Sequence, residues 1–162
     1  MSPQIEKFID KLYGIIYDTS VSVYQIVIDT NVWISALRSQ RGASHQLITL
    51  IDSGKFESNI SVSLILEYEE VAKRIIGEIP LTERDVDDIL DYICQVGNQR
   101  KVYYLWRPFL EDPKDDMALE LAITAECEFI VTYHQKHFQD IERFGLSVIT
   151  PKEFLQKIGA LP

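Results

Sequence analysis

Ile5, Phe8, Ile9, Leu12, Tyr13 and Ile16 recur at helical spacing, so the chain opens on an amphipathic helix within an extension of residues 1–23. The run Tyr24-Gln-Ile-Val-Ile28 follows and stops at Asp29; a short apolar run of this kind predicts a buried strand. Helical spacing returns over 43–53, closed by Gly54, and residues 57–62 read as a second strand. Residues 64–76 form a helical pattern ending at Gly77. Thr82 with Asp85 three residues on resembles a capping box for a helix reaching about Val96. Residues 101–106, rich in β-formers and aromatics, read as the third strand. Asp112 and Pro113 suit the N-cap and first position of a helix running to about Glu126. Residues 129–132 and 147–149 supply a fourth and fifth strand, and Pro151 opens a terminal helix.

Short strands alternating with helices predict an α/β domain, residues 24–162, with a parallel sheet covered on both faces. Ligands in such folds bind beyond the carboxyl ends of the strands, which selects the residues to inspect. Asp29 follows the first strand, and Glu67 lies in the first turn of the helix after the second. Asp112, Asp115 and Asp116 begin the helix after the third strand, and Thr132 to His134 follow the fourth.

Several carboxylates at one edge repel and raise one another's pKa, and a hard divalent cation, Mg²⁺ or Mn²⁺, relieves that repulsion. The chemistry such a site offers is hydrolysis of a phosphodiester. Each residue also has a plainer role. Asp29-Thr30-Asn31 can be an N-cap, and Glu67 belongs to an acidic run with Glu69 and Glu70. Glu67 nonetheless shares a helix face with Leu64 and Val71, whereas Glu69 and Glu70 should face solvent. Asp112 is assigned to the cap. Asp115 shares the packed face of Ala118, Leu119 and Ala122, while Asp116 is rotated toward Glu120 and is expected in solvent, the second choice as a ligand. His134 and His137 lack the cysteine partners of a zinc site, so a loop role is the simpler account.

Composition adjusts this picture in three ways. A formal net charge of −9, from 25 acidic and 16 basic residues, is the wrong sign for a general field attracting nucleic acid. RNA would have to be met by local cations such as Arg38, Arg41 or Lys136, or through bound metal. No apolar run is long enough to span a bilayer, and no signal-peptide core is visible. Cys94 and Cys127 have no metal-like spacing and read as core residues in a reducing, cytoplasmic setting.

Four segments together resemble the PIN-domain nucleases, in particular the single-domain, VapC-like toxins of bacterial and archaeal toxin–antitoxin pairs. They are Ile-Val-Ile-Asp29-Thr30-Asn31-Val32 with Ser35-Ala36-Leu37, Ser61-Val-Ser-Leu-Ile-Leu-Glu67-Tyr-Glu-Glu-Val71, Asp112-Pro-Lys-Asp115-Asp116-Met-Ala-Leu-Glu-Leu-Ala122, and Phe129-Ile-Val-Thr132. The resemblance implies a five-stranded parallel sheet between helices and a Mg²⁺ or Mn²⁺ pocket on Asp29, Glu67 and Asp115, with Asp116 or His134 assisting. Thr30, Asn31 and Thr132 are expected to orient waters or ligands. It also implies an RNA substrate, a homodimer and an antitoxin that masks the site. One departure stands out: Tyr133 and His134 occupy positions where the family has Gly and then Asp or Asn, so three carboxylates remain to hold one metal. Two rival readings are a catalytically weak module that binds RNA or protein, and a phosphatase of the haloacid-dehalogenase kind. Asn31 argues against the latter, which carries Asp-x-Asp after its first strand.

Overall fold

The computed structural model describes residues 23–105 and 107–162. The helix expected over 5–16 lies outside the described residues. Five strands form one sheet: β1 (Tyr24–Ile28), β2 (Phe56–Ile60), β3 (Asn98–Gln99), β4 (Phe129–Val131) and β5 (Ser147–Ile149). Their order is β3-β2-β1-β4-β5, and every neighbouring pair is parallel. The helices among the described residues are α1 (Thr30–Arg38), α2 (Ala43–Thr49), α3 (Val62–Arg74), α4 (Glu83–Val96), α5 (Pro113–Thr124) and α6 (Pro151–Lys157). This is the expected α/β/α arrangement.

β1 lies at the centre of the sheet, and Ile26, Val27 and Ile28 are all but inaccessible to solvent, which is why its sequence is apolar on both faces. Residues in register share a face of a pleated sheet. Tyr24 pairs with Phe56, and Ile26 with Phe129. Phe154 of α6 meets all three rings edge-on, 5.4 Å from Phe56, 6.0 Å from Phe129 and 6.2 Å from Tyr24. α5 packs across β1, β2 and β4. Cys127, just beyond it, meets the Asn59 amide at 3.6 Å on the sheet's other face. Both cysteines are free, and burial pushes the Cys127 thiol up to about 12, as suits a small core residue.

Sequence and structure agree on the helix caps. Thr82 and Asp85 form both halves of the capping box, and Asp112 accepts from the Lys114 amide at 2.9 Å with Pro113 next in line. The third strand needs correction. Only Asn98 and Gln99 pair with β2, because β2 ends at Ile60 and Ser61 turns outward to cap α3, accepting from the Leu64 amide at 3.2 Å. Arg100 makes the last bond, N–H to the Ile60 carbonyl at 2.8 Å. Beyond it the chain has no neighbouring strand among the described residues, and Tyr103, Tyr104 and Leu105 stand exposed instead. No helix among the described residues is long and apolar enough to cross a membrane.

Candidate functional site

The carboxyl ends of the central strands open into a pocket of about 680 Å³ lined by Asp29, Thr30, Asn31, Glu67, Asp115 and His137 among others. Asp29 reaches it because β1 ends there. Its amide continues the ladder to the Val131 carbonyl at 2.9 Å, and its backbone then turns to cap α1. Its Oδ1 accepts from the Thr30 amide at 2.8 Å. Its Oδ2 accepts from Asn31 Nδ2 at 2.8 Å and from the Thr132 hydroxyl at 2.7 Å. Asp29 is thus both the N-cap and a pocket carboxylate.

Asn31 and Thr132 tie the ends of β1 and β4 together. Asn31 Nδ2 also reaches Thr132 Oγ1 at 3.0 Å, and Asn31 Oδ1 accepts from the Tyr133 amide at 3.1 Å. The His134 amide donates to Thr132 Oγ1 at 3.0 Å. Glu67 comes from α3, where Leu64 and Tyr68 are buried and Glu67 itself is half-buried. It accepts the Thr30 hydroxyl at 2.6 Å, while Lys114 Nζ stands 3.6 Å from its other oxygen. Glu69 and Glu70 form surface ion pairs with Lys73 and Arg74, matching the expected division of that acidic run.

Asp115 projects from the first turn of α5 and meets His137 Nδ1 at 3.1 Å through Oδ2. His137 arrives on a 3-10 turn, Gln135–His137, that also sets its ring 4.8 Å from that of His134 at a tilt of 43°. The loop account of His137 is therefore incomplete. Turn geometry brings it to a carboxylate 22 residues away, and no sequence periodicity marks such a meeting. Of the expected cations, Arg38 lines the pocket but pairs with Glu78 at 3.1 Å; Lys136 lines an adjoining hollow, and Arg41 lines neither.

Asp116 is the clearest correction. It is 1% exposed rather than solvated, and it does not line the pocket. Its Oδ1 accepts from the Leu110 amide at 2.8 Å, and its Oδ2 lies 3.4 Å from the Phe109 amide. Glu120, one turn further, is 2% exposed and receives two bonds from Arg107, at 2.9 and 3.2 Å. The 107–110 segment covers this side of α5, so the helix is buried on faces that a single amphipathic stripe leaves to water.

Burial raises the Asp29 carboxyl above its usual range, the Asp115 charge adds to the rise, and the Thr132 hydrogen bond opposes it. Asp115 is also raised, by burial first and then by Asp112, with His137 in opposition. The phenol of Tyr68, fully buried beneath the pocket and donating to the Ile28 carbonyl, is raised well above its usual value by burial, Asp29 and Glu67. Burial is the first cause in all three, and neighbouring carboxylates add to it: Asp115 at Asp29, Asp112 at Asp115, and Asp29 with Glu67 at Tyr68. Among the described residues no three His, Cys, Asp or Glu side chains close into a ready-made metal cage. A small hard cation does not need one, since Mg²⁺ keeps several waters and takes only one or two carboxylates directly. The all-oxygen, mutually repelling donor set fits such a hydrated ion.

A family model described as PIN domain matches residues 25–136. No curated protein sequence matches the chain. Among solved structures, a chain from the crystal structure of VapBC2 from Rickettsia felis, bound to a DNA fragment from their promoter, superposes with a TM-score of 0.54 at 12% identity. That match covers 78% of this chain and 98% of the other. At that identity the likeness is one of fold.

Proposed function

The chain belongs to the PIN-domain family, and on that premise we propose that it is a Mg²⁺- or Mn²⁺-dependent endoribonuclease, the toxin of a toxin–antitoxin pair. The observation that carries this reading is the convergence of Asp29, Glu67 and Asp115, from β1, α3 and α5, on one pocket in which burial raises the Asp29 and Asp115 carboxyls and the Asp115 charge adds to the rise at Asp29. In this reading the three carboxylates hold the cation, directly or through water. When bound, the cation supplies Lewis acidity to a phosphodiester and offsets the pocket's charge. Asn31 and Thr132 fix the Asp29 carboxylate, and the Thr30 hydroxyl fixes Glu67. Lys114, beside Glu67, places a positive charge at the rim where a phosphate would approach. His137 holds Asp115 in orientation. An antitoxin partner, suggested by the likeness of fold to VapBC2, completes the proposal together with a homodimer and a cytoplasmic location.

The test is cleavage of labelled RNA by the purified full chain in Mn²⁺ or Mg²⁺, beside Asp29→Asn and Asp115→Asn. Each variant should lose about a hundredfold or more of a rate that chelation abolishes. Equal rates in all three proteins would defeat the site. A second reading, a binding module without catalysis, draws on the open arrangement of the carboxylates and on His134 in place of a fourth acid. RNA binding that persists in chelator, with no cleavage of any RNA in either metal, would favour it.

A further inference from the structure

The edge of the sheet opposite β5 is unlike the rest of this acidic molecule. From Tyr92 to Leu110 the chain carries Arg100, Lys101 and Arg107 and not one Asp or Glu, within a protein of net charge −9. Here also the chain leaves the sheet after β3 and presents Tyr103 and Tyr104, each 79% exposed, and Leu105 at 66%. Val62 and Leu66 on the neighbouring α3 add exposed apolar surface. Large exposed aromatics are costly to leave bare in water without a partner.

The relief of the surface connects this strip to the carboxylates. One hollow runs between Val62, Arg100, Lys101, Leu105, Arg107 and Met117. It shares Arg107 and Met117 with a second hollow that reaches Glu67 and Lys114. Both of those residues line the acidic pocket. A continuous track therefore leads from the segment that carries the exposed tyrosines, past cations, to the candidate active site. Two of the cations are partly engaged: Arg100 Nε donates to Asn59 at 2.9 Å, and Arg107 is matched by buried Glu120. Lys101 and the remaining guanidinium nitrogens of Arg100 carry the local positive field.

We propose that Tyr103, Tyr104, Lys101 and Arg100 form a docking strip for single-stranded RNA, which stacks bases on the tyrosines and threads its backbone along the track toward Glu67. Single strands suit the chemistry, because base faces are free to stack on aromatic rings only when unpaired, while cations beside the rings meet the phosphates. A duplex hides those faces. A second copy paired about a two-fold axis through the strip would set these cations against their own kind, so the charge of the segment favours a polyanion. The strip deepens the ribonuclease reading and rests on it for the direction of the track, but its binding is measurable without catalysis.

The experiment is fluorescence anisotropy with a labelled single-stranded oligouridylate and the full chain in EDTA, so that no cleavage intervenes. Tyr103→Ala/Tyr104→Ala should weaken binding about tenfold or more, and Tyr103→Phe/Tyr104→Phe should restore most of it. Lys101→Glu should weaken it about two- to fivefold and flatten its salt dependence. The same RNA annealed to its complement should bind more weakly than the single strand. Undiminished binding by the double alanine variant would overturn the strip, as would absence of binding by the wild-type chain. A change from dimer to monomer on sedimentation, with RNA affinity intact, would overturn it in favour of a second copy. Failure of the ribonuclease reading would register separately, as no metal-dependent cleavage by a wild-type chain that still binds through the tyrosines.

Discussion

Asp115 and Asp116 are neighbours in sequence, sit in the same helical turn and are both largely shielded from water, yet they live in opposite chemical circumstances. Asp116 faces a wall of fixed donors, the amides of Phe109 and Leu110, and Glu120 beneath it faces the Arg107 guanidinium. Asp115 faces the pocket, where its side chain meets His137 and its charge adds to the rise at the Asp29 carboxyl. Burial alone does not tell a functional acid from a structural one. The difference lies in how many lone pairs are already answered by the fold, since an answered carboxylate stabilises its surroundings and an unanswered one is left free to meet a ligand.

The comparison breaks most visibly in paired variants. Asp115→Asn should abolish cleavage while its melting temperature holds or rises, because a repelled, partly desolvated charge is removed. Asp116→Ala should do the reverse. It leaves two covered backbone N–H groups without acceptors, a loss of about 1–3 kcal/mol, or roughly 2–10 °C in Tm. The fraction that remains folded should cleave within a few-fold of wild type. Calorimetry with single-turnover kinetics on both proteins decides the matter, and matched losses of rate and Tm in both would erase the distinction.

A finer test uses pH. The Asp29 and Asp115 carboxyls are raised in the folded protein, so the native state holds their protons more tightly than the unfolded chain does. Their contribution is therefore most favourable below the unfolded pKa of about 4 and is lost as pH rises through the folded values. Asp85 and Glu153, lowered by their capping hydrogen bonds, act in the opposite sense, so only a difference isolates the pocket. The Tm of Asp115→Asn minus that of wild type, in chelator, should be positive at neutral pH and vanish below about pH 4. Mn²⁺ should close the gap from the wild-type side by stabilising it at neutral pH.

The smallest effect should come from Tyr68→Phe. It removes one buried hydrogen bond to the Ile28 carbonyl but keeps the ring stacked on Trp33 at 5.4 Å. About 1 kcal/mol of stability should go, with cleavage nearly unchanged, as measured by urea unfolding.

How far the sequence foretold these features depends on whether the deciding partner is local. The caps at Thr82 and Asp112 are answered within three residues, and both were legible. The strand-end rule led to Asp29, Glu67 and Asp115, which do line one pocket, because β1 is central and its apolar run stops where the sheet stops. Asp116 was misplaced because the segment that covers it, 107–110, is loop without periodicity. The third strand was misplaced because residues 101–105 carry β-forming side chains but β2, ending at Ile60, offers nothing to pair with. His137 reaches Asp115 only through the turn at Gln135–His137.

The clasp of Asn31 and Thr132 on Asp29 has one more consequence, which concerns valence. A carboxylate has about four lone-pair sites. Oδ2 of Asp29 spends both of its own on Asn31 and Thr132, and Oδ1 spends one on the Thr30 amide. The Asn31 amide cannot turn over to free one, because its oxygen is held by the Tyr133 N–H. A single acceptor site on Oδ1 is left, so Asp29 can offer a cation one oxygen and not two. That denticity suits an ion demanding octahedral angles and disfavours Ca²⁺, which draws on bidentate carboxylates to fill a larger shell.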